Sequence, residues 1–325
     1  MAVTLKEVAM RVGISSQAVS AVLNDNPKIR VSGKKRQEIM TCVKELGYSP
    51  NIAARTLCTK KTYAIGVLFN SMRDRCYAEL VDNIQSYLTE FGYIGHFSFW
   101  GTDPAKFPDA YKAVVNRGVD GIISCQYEPG LFKKELPAII YQGKNADIDS
   151  LRFDFEEFGR ECFSYLLGLG HRRIGFIGYP ASPRYLIYRE NLKRHGLEYR
   201  PEWTYEAPAY VEHGVLALRH LAEMPPHNQP TAIIAHNDAV AIGAISEAQR
   251  KGIRIPADLS IIGFDNIDEA QYCFPALSSF DTKIKQSAKL LVDALLHRIN
   301  NPADPPKTIL VTPELIVRDS CGKLT

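Results

Sequence analysis

The sequence predicts two parts of different fold class: an all-α head of the helix-turn-helix type, and an α/β core of two doubly wound parallel-sheet subdomains. Three observations predict this. Apolar residues in roughly the first fifty positions repeat at helical spacing. From residue 62 onward, short apolar runs alternate with amphipathic helical stretches. This alternation occurs in two successive sets, so we expect two similar lobes with a cleft between them.

The composition is that of a folded protein with more than one core. At 325 residues and 46% hydrophobic residues, the chain is long enough for two or three domains. Its start has no charged-then-apolar leader, and no apolar run approaches the ~20 residues of a membrane span, so we expect a cytoplasmic protein. The seven cysteines are scattered without C-x-x-C spacing, which predicts neither a disulfide framework nor a metal site.

The first helix is predicted from an apolar stripe and from its caps. The stripe repeats at helical spacing, at Leu5, Val8, Ala9 and Val12. Thr4 precedes it as N-cap with Glu7 three residues on, which is the capping-box pattern. Gly13 ends the helix, because glycine readily takes the left-handed conformation of a helix C-terminus.

A second short helix follows the glycine turn and has one apolar and one polar side. Ser15 is its predicted N-cap. Its inward face consists of Val19, Val22 and Leu23, and its opposite face of Ser16, Gln17, Ser20 and Asn24. A helix with such a polar face fits the major groove of DNA, where glutamine pairs with adenine and hydroxyls reach phosphates. The alternative is an ordinary three-helix module with a solvated polar face.

A third helix begins after Ser32 and carries a cluster of positive charge at its start. Its inward face is Ile39, Val43 and Leu46, and the basic residues at or before its start are Lys28, Arg30, Lys34, Lys35 and Arg36. Residues 1–61 contain 11 Lys and Arg against 4 Asp and Glu, a net charge of +7. The whole chain carries +3, so the remaining 264 residues sum to −4. A basic head on a mildly acidic body is typical of phosphate binding.

The phrases of the first sixty residues resemble those of the LacI/GalR family of transcription regulators. Members begin with T-[IL]-x-[DE]-V-A, continue with V-S-x-x-T-V-S-x-V-L-N, and have a hinge of the form Y-x-P-N-x-x-A-R-x-L. At the same places this chain reads TLKEVA, ISSQAVSAVLN and YSPNIAARTL. Further matching phrases follow in the core: GHRRIGFIG, PTAIIAHNDAVAIGA, IPADLSIIGFDN and PALSS.

The resemblance implies which residues of the head face DNA. Ser16, Gln17 and Ala18 would face base edges, and Ser20 the backbone. The position of Ala21 is often arginine in relatives, where it can read guanine, and Ala18 replaces a common threonine. The operator preference at those positions is therefore not transferable. The predicted DNA-binding residues are Thr4, Ser15, Ser16, Gln17, Ala18, Ser20, Asn24, Arg30, Ser32, Lys34, Asn51, Ala54, Arg55 and Leu57.

The resemblance also implies a hinge between head and core. Residues 51–58 would form a short helix in the minor groove, ordered only on cognate DNA, because about eight residues are too few for a stable isolated helix. Asn51 and Arg55 would lie near phosphates. Leu57 would wedge between the two central base pairs, unstacking one step at a cost of a few kcal/mol. The alternative role for Leu57 is interdomain packing. These assignments predict a head at 1–48, a hinge at 49–61 and a core at 62–325.

In the core, strands and helices are predicted to alternate. The first lobe has predicted strands at 64–69, 94–99, 119–125 and 138–141, and helices at 77–91 and 108–117. The second has strands at 173–177, 232–235 and 259–264, and helices at 156–169, 184–195, 214–223 and 238–251. The resemblance implies a core like that of periplasmic sugar-binding proteins, with crossings near Asp154, Asp281 and Leu310. Its N-subdomain would span about 62–153 and 283–309, and its C-subdomain about 154–282 and 310–325.

A ligand is expected in the cleft, because ligands of open parallel sheets lie beyond the carboxyl ends of the strands. Those ends supply Phe69, Asn70, Trp100, Tyr127, Gln142, Tyr179, His236, Asn237, Asp238 and Asp265. By the resemblance, Asn237 and Asp265 also match ligand positions of the family. The resemblance adds Arg184, at the family's effector arginine, and Tyr77, within a segment that departs from the family phrase and reads RDRCY.

Four of these effector-site predictions have a structural alternative. Asp265 could merely cap a turn, and Arg184 could be a solvated helix start. Trp100 and Tyr127 could be simple wall packing. The predicted effector-binding residues remain Asn70, Tyr77, Trp100, Tyr127, Gln142, Arg184, Asn237 and Asp265.

Catalytic motifs are missing from the sequence. It contains no G-x-G-x-x-G after the first strand, no Walker-type loop and no G-x-S-x-G, and no nucleophile with a base in reach is suggested. We therefore expect no enzyme and no cofactor. The nearest rival is a periplasmic sugar-binding receptor without DNA function, which would need an export leader and no basic head.

The resemblance implies a repressor that binds a pseudopalindromic operator and a small-molecule effector, most often a sugar or sugar derivative in this family. The chain ends soon after PELIVRDS without a leucine heptad, so we expect a homodimer, which suits a two-fold operator.

Overall fold

The computed structural model divides into two compact units, Met1–Thr62 and Tyr63–Thr325. The residues that it describes are 3–23, 29–48, 61–143 and 146–324. Among these residues, no helix combines the length and the apolar character needed to cross a membrane. The first unit is called the head and the second the core.

The described part of the head consists of three helices, α1 (Leu5–Val12), α2 (Ser16–Leu23) and α3 (Gly33–Leu46). One fully buried side chain from each helix, Val8, Val19 and Ile39, meets in its apolar core. The predicted capping box is present, since the Thr4 backbone N–H donates to Glu7 Oε2 at 2.6 Å and the Glu7 N–H donates to Thr4 Oγ1 at 3.3 Å. Gly13 ends α1 with φ +72°. The predicted helix-turn-helix class of the head is confirmed.

The core contains two six-stranded sheets. The first sheet has the strands β1 (Ala64–Phe69), β2 (Ile94–Phe99), β3 (Gly121–Ser124), β4 (Ala138–Tyr141), β5 (Asp149–Phe153) and β11 (Thr308–Val311), all parallel, in the order β11-β5-β4-β3-β1-β2. Its helices are α4 (Arg75–Glu90), α5 (Phe107–Val115) and α11 (Ile284–Asn300). This sheet and its helices are called the N-lobe.

Both faces of the N-lobe sheet are covered, which explains why β1 is apolar at every position. Ile65 and Val67 of β1 belong to one buried cluster with residues of α4 and α11. Ala64 and Leu68 belong to another, with Phe107 and other residues of α5. A strand buried on both sides is what a parallel sheet between two helical layers requires.

The second sheet has the strands β6 (Ile174–Gly178), β7 (Thr204–Glu206), β8 (Ala232–Ala235), β9 (Ser260–Asp265), β10 (Ser278–Asp281) and β12 (Glu314–Ile316), in the order β12-β10-β9-β8-β6-β7. All pairs are parallel except β10 with β12. Its helices are α6 (Phe155–Gly168), α7 (Pro183–Arg194), α8 (Val211–Leu221), α9 (Asp238–Arg250) and the one-turn α10 (Glu269–Tyr272). This sheet and its helices are called the C-lobe.

The predicted α/β class with two doubly wound sheets is confirmed, although several elements were not predicted. Those elements are β5, β7, β10, β11, β12, α10 and α11. The third crossing between the lobes comes after Val311, since Leu310 lies inside β11 of the N-lobe sheet. The first crossing lies at Asp154, whose carboxylate accepts the Glu157 N–H at 3.0 Å and so caps α6.

Helices α8 and α9 of the C-lobe touch through two glycines. A Cβ added to Gly214 would overlap the carbonyl oxygen of Val240, and one added to Gly243 would overlap that of Val211. The two helix backbones are therefore in direct contact, and there is no room between them for a side chain at either position.

Candidate functional site

The polar side of α2 is where the structure presents Gln17. Gln17 is exposed, while Ser16, Ala18 and Ser20 are half-buried. The Ser15 hydroxyl accepts the Ala18 N–H at 3.2 Å, which fixes the start of the helix as predicted. Gln17 is thus a long polar side chain of α2 that can extend toward a DNA groove.

Ala21 lies on the packed side of α2. It is 5% exposed, and its neighbour Val22 is equally buried. The methyl group of Ala21 is therefore part of the packing of the head, so this position offers no side chain for reading a base.

Positive charge is exposed at the start of α3. Arg30 and Lys34 are exposed, and the Ser32 hydroxyl caps the helix by accepting the Lys35 N–H at 3.3 Å. The Lys35 ammonium is 2.8 Å from Glu38 Oε2, so the positive charge of this lysine is balanced by a neighbouring carboxylate.

Thr4, Ser15 and Ser32 all act as helix caps. The remaining predicted DNA-binding residues, Asn24, Asn51, Ala54, Arg55 and Leu57, lie outside the described residues, as does the predicted hinge helix.

A cavity of about 250 Å³ lies between the lobes of the core. Five of the eight predicted effector residues line it: Tyr77, Gln142, Arg184, Asn237 and Asp265. Its other lining residues are Asp74, Cys76, Tyr141, Phe153, Phe155, Ser182, Pro183 and His236. The structure thus brings together residues from the first turn of α4, the end of β4, the start of α7 and the ends of β8 and β9.

Arg184 is held in the cavity by three contacts. Its Nη2 is 3.5 Å from Asp265 Oδ1, its Nη1 is 3.0 Å from His236 Nε2, and its guanidinium lies 4.0 Å from the centre of the Phe264 ring. Burial, reinforced by the positive charge of Arg184, lowers the pKa of His236 well below its usual value. His236 is therefore neutral. Its Nε2 accepts from Arg184, which assigns the ring proton to Nδ1.

Asp265 and Gln142 occupy strained backbone positions at the cavity. Their φ angles are +111° and +61°, in the region that favours glycine. Such conformations cost about 1–3 kcal/mol each and cluster at functional sites. Burial raises the pKa of the Asp265 carboxyl well above its usual value, with Arg184 acting in the opposite direction.

Asp74 faces Asp265 from the other lobe. It is the N-cap of α4, and its Oδ1 accepts the Cys76 N–H at 2.9 Å. A carboxylate oxygen of Asp74, the Cys76 sulfur and a carboxylate oxygen of Asp265 all lie within 4.8 Å of one another. These atom types could ligate a metal, but the guanidinium of Arg184 beside Asp265 opposes a cation. Burial also raises the pKa of Asp74.

Among the described residues that line the cavity, three side chains each have a buried nitrogen atom without a hydrogen-bond partner: Gln142 Nε2, Arg184 Nε and His236 Nδ1. With His236 in the tautomer assigned above, all three are donors. Leaving a buried donor unpaired costs about 1–3 kcal/mol, so the cavity is suited to a ligand with acceptor oxygens. Tyr77 and Tyr141 add aromatic surface, with ring centroids 6.0 Å apart.

Asn237 has a structural role beside its place in the lining. Its Oδ1 accepts the Val240 N–H at 3.0 Å and caps α9, and its Nδ2 donates to the Ala209 carbonyl at 3.2 Å.

The structure does not place three predicted effector residues in the cavity. Asn70 lines an adjoining, wider part of the cleft of about 620 Å³, which shares Asp74 and His236 with the cavity. Trp100 is 7% exposed and packs on Phe107 in a hydrophobic cluster, with ring centroids 4.7 Å apart. Tyr127 packs on Phe132 at 5.0 Å.

Two exposed ion pairs join the lobes on either side of Asp74. Arg73 pairs with Glu212 of α8 at 3.0 Å, and Arg75 pairs with Glu269 of α10 at 2.8 Å. Both arginines belong to the RDRCY segment that departs from the family phrase. The segment therefore contacts the C-lobe through its two arginines while its aspartate enters the cavity between them.

Both the head and the core of the chain are similar to known protein families. Residues 4–51 match the family described as bacterial regulatory proteins, lacI family, and residues 163–321 match the periplasmic binding protein-like domain. The probable HTH-type transcriptional repressor ExuR of Bacillus subtilis is 30% identical over 99% of each chain. The ribose operon repressor of Haemophilus influenzae is 28% identical, also over 99% of each chain. A crystal structure of the Lac repressor bound to ONPG has a TM-score of 0.85 at 25% identity, over 98% of this chain and 100% of that one.

Proposed function

We propose that this chain, which belongs to the lacI family of bacterial regulatory proteins, is a transcription repressor. Its DNA binding is controlled by a small molecule bound between the two lobes. The observation that carries the proposal is the buried cavity with unpartnered donors from both lobes, in a chain that also has a helix-turn-helix head. A sugar or sugar derivative is the proposed effector class, in keeping with a relative that is a ribose operon repressor.

The residue roles in DNA binding are part of this proposal. Ser16, Gln17 and Ala18 approach base edges and Ser20 the backbone, while exposed Arg30 and Lys34 contribute to phosphate binding. The hinge at 49–61 orders on the operator, with Leu57 as the wedge. The protein acts as a cytoplasmic homodimer, because two heads related by two-fold symmetry match a pseudopalindromic operator.

The proposed mechanism couples cavity and operator through lobe closure. A ligand that satisfies the donors of Gln142 on one lobe and of Arg184 and His236 on the other stabilises the closed arrangement. Closure moves the N-lobes of the two protomers and so changes the separation of the hinges. A coupling free energy of about 1–3 kcal/mol is enough to change operator affinity about 5- to 150-fold.

The rival functions are less well supported. A solute-binding receptor of the periplasmic type has no use for the head, whose residues 4–51 match the lacI family. Members of that family with the names reported above are transcription repressors and not enzymes.

The experiment that tests the proposal is selection of bound duplexes from a random pool with the full chain at physiological salt. We expect a pseudopalindromic sequence to be enriched. Enrichment of no sequence, with equal binding to duplex and to heparin, would overturn the assignment as a sequence-specific repressor. The selection is run without ligand and again with added candidate effectors, so that a repressor that binds DNA only together with its effector is also detected.

Replacing Gln17 by alanine is expected to weaken binding to the selected duplex by about 1–3 kcal/mol, because the variant cannot form a bidentate hydrogen bond with a base. Binding to random duplex should stay unchanged. Fluorescence anisotropy with both duplexes measures this, and Gln37→Ala, which removes an exposed glutamine from α3, is the matched control. An equal weakening on both duplexes would contradict base reading by Gln17.

Binding to the selected duplex should depend steeply on salt, because the head carries the positive charge. If Lys34 neutralises one phosphate, the Lys34→Gln variant is expected to reduce the slope of log K against log salt by about one unit, on selected and random duplex alike. Lys112→Gln, which removes an exposed lysine from α5 of the core, should leave the slope unchanged. A slope that is the same for Lys34→Gln and wild type would show that Lys34 does not bind phosphate.

A further inference from the structure

We infer that Arg73 is a latch across the mouth of the cleft: its ion pair with Glu212 and its contact with the Tyr210 ring stabilise the closed arrangement of the two lobes. What the latch does to effector sensitivity rests on the proposed function. The resemblance to the family does not imply this latch, because Arg73 belongs to the RDRCY segment that departs from the family phrase.

The strand order places Arg73 at the mouth of the cleft, away from the crossings between the lobes. The crossings follow β5, β10 and β11, which lie at or next to one edge of each sheet, whereas β2 and β7 form the opposite edges. Arg73 and Glu212 line the wider part of the cleft together with Thr102, which follows β2, and Pro208, which follows β7. A contact at this distance from the crossings must break when the lobes open.

Arg73 contacts the beginning of α8 in two ways. Its Nη2 is 3.0 Å from Glu212 Oε1, and its guanidinium carbon is 4.5 Å from the centre of the Tyr210 ring. Glu212 lies in the first turn of α8, where the helix dipole favours a negative charge. A hydrogen bond to its own backbone N–H, to which the bond from Arg73 adds, lowers the pKa of Glu212, so the pair is charged at neutral pH.

Both partners of the latch are attached to backbone that also positions the cavity. Arg73 directly precedes Asp74, which is the N-cap of α4, and its own N–H donates to the Ser71 hydroxyl at 3.1 Å. On the other lobe α8 is in direct backbone contact with α9. The cavity residue Asn237, which caps α9, donates to the Ala209 carbonyl just before α8. The latch and the cavity therefore respond to the same movement of the lobes.

The second ion pair between the lobes, Arg75 with Glu269, is nearer to the crossings. It borders a groove that includes Lys285, in the first turn of α11 and directly after the second crossing. A pair close to the crossings separates less when the lobes open, so the latch is assigned to Arg73.

The latch is weak enough to open and strong enough to matter. An exposed ion pair and an exposed cation–π contact together change the ratio of closed to open lobes by about 3- to 30-fold. The apparent Kd of a ligand that binds the closed lobes is inversely proportional to the closed fraction. Arg73 therefore makes the protein respond to lower effector concentrations than it would without the latch.

The test is pulsed electron paramagnetic resonance on the full chain, without DNA or effector. Nitroxide labels are placed at two exposed positions near the mouth, Lys106 of the N-lobe and Glu206 of the C-lobe. They are attached to genetically encoded ketone side chains, because the seven cysteines of the chain prevent selective labelling of thiols. We expect Arg73→Glu, which faces Glu212 with a like charge, to lower the ratio of closed to open lobes by about threefold or more. Exchange of the charges in the double variant Arg73→Glu, Glu212→Arg should restore the closed population.

Arg194→Glu is the matched control, because it breaks an exposed ion pair within the C-lobe, with Glu190 at 3.2 Å. Its distance distribution should equal that of wild type. An unchanged distribution in Arg73→Glu, an equal change in the control, or no recovery on charge exchange would each overturn the inference. Since neither DNA nor effector is present, such a result leaves the outcome of the duplex selection, and with it the proposed function, unaffected.

Discussion

Replacement of Arg184 by methionine is expected to abolish the response of this protein to its effector while its DNA binding persists. Methionine keeps the unbranched stem but removes the guanidinium that contacts Asp265 and His236. A hydrogen bond donated by a charged side chain contributes about 1.5–3 kcal/mol, and methionine cannot donate one to the ligand. The Kd of the effector should therefore rise by a factor of roughly 10 to 150.

The measurement for Arg184→Met is calorimetry with a sugar that wild type is found to bind, together with anisotropy on the selected duplex with and without that sugar. The control is Arg189→Met, on the same helix α7, where the arginine is exposed and lies over the Tyr199 ring. We expect the control to bind sugar like wild type. An Arg184→Met variant whose sugar affinity stays within threefold of wild type would remove Arg184 from the effector site.

Replacement of Gly214 by valine is expected to destabilise the core more than any other single substitution proposed for it. The added Cβ overlaps the Val240 carbonyl, so α8 and α9 must separate. Overpacking a well-packed core costs about 1–3 kcal/mol and occasionally more. A clash with backbone belongs at the upper end, because the backbone cannot change rotamer as a side chain can. Gly214→Ala should show a smaller destabilisation.

Thermal denaturation followed by circular dichroism measures this effect. Gly168→Ala is the matched control, because Gly168 also lies in a helix but an added Cβ there has nothing within 4 Å. Alanine favours helix over glycine by about 0.5–1 kcal/mol, so the control should be as stable as wild type or slightly more so. A Tm for Gly214→Val equal to that of wild type would show that α8 and α9 can separate freely.

The central strands were predictable and the edge strands were not. The runs at 64–69 and 232–235 are apolar throughout because they are buried on both faces, and the structure has strands at both places. By contrast, β7, β11 and β12 have three or four residues each and are largely half-exposed or exposed. Such strands are too short to show a hydrophobic period, although β11 reads TILV, and they pair with residues distant in sequence, so only the tertiary structure reveals them.

The sequence predicts which residues lie at the ends of strands, but not whether their side chains point into the cleft. The rule that ligands lie at strand ends identifies Gln142, Asn237 and Asp265, and the resemblance adds Arg184; all four line the cavity. The same rule selects Trp100 and Tyr127, which pack into the lobe. Position along a strand does not determine which way a side chain turns.

Asp74 escapes the sequence prediction because the predicted helix begins two residues too late, at residue 77, whereas α4 begins at Arg75. The signal that could have identified it is an aspartate one residue before a helix, which is the position of an N-cap.

The order of the strands has a consequence for synthesis of the protein on the ribosome. β11 completes the N-lobe sheet and β12 the C-lobe sheet, yet both come from residues 308–316, after every other described strand has been made. Neither sheet gains its last edge strand until this stretch has left the exit tunnel, so the two lobes complete their folding together rather than one after the other. A stop codon shortly before residue 308 would therefore damage both lobes at once, and the nascent chain would present two open sheet edges to chaperones.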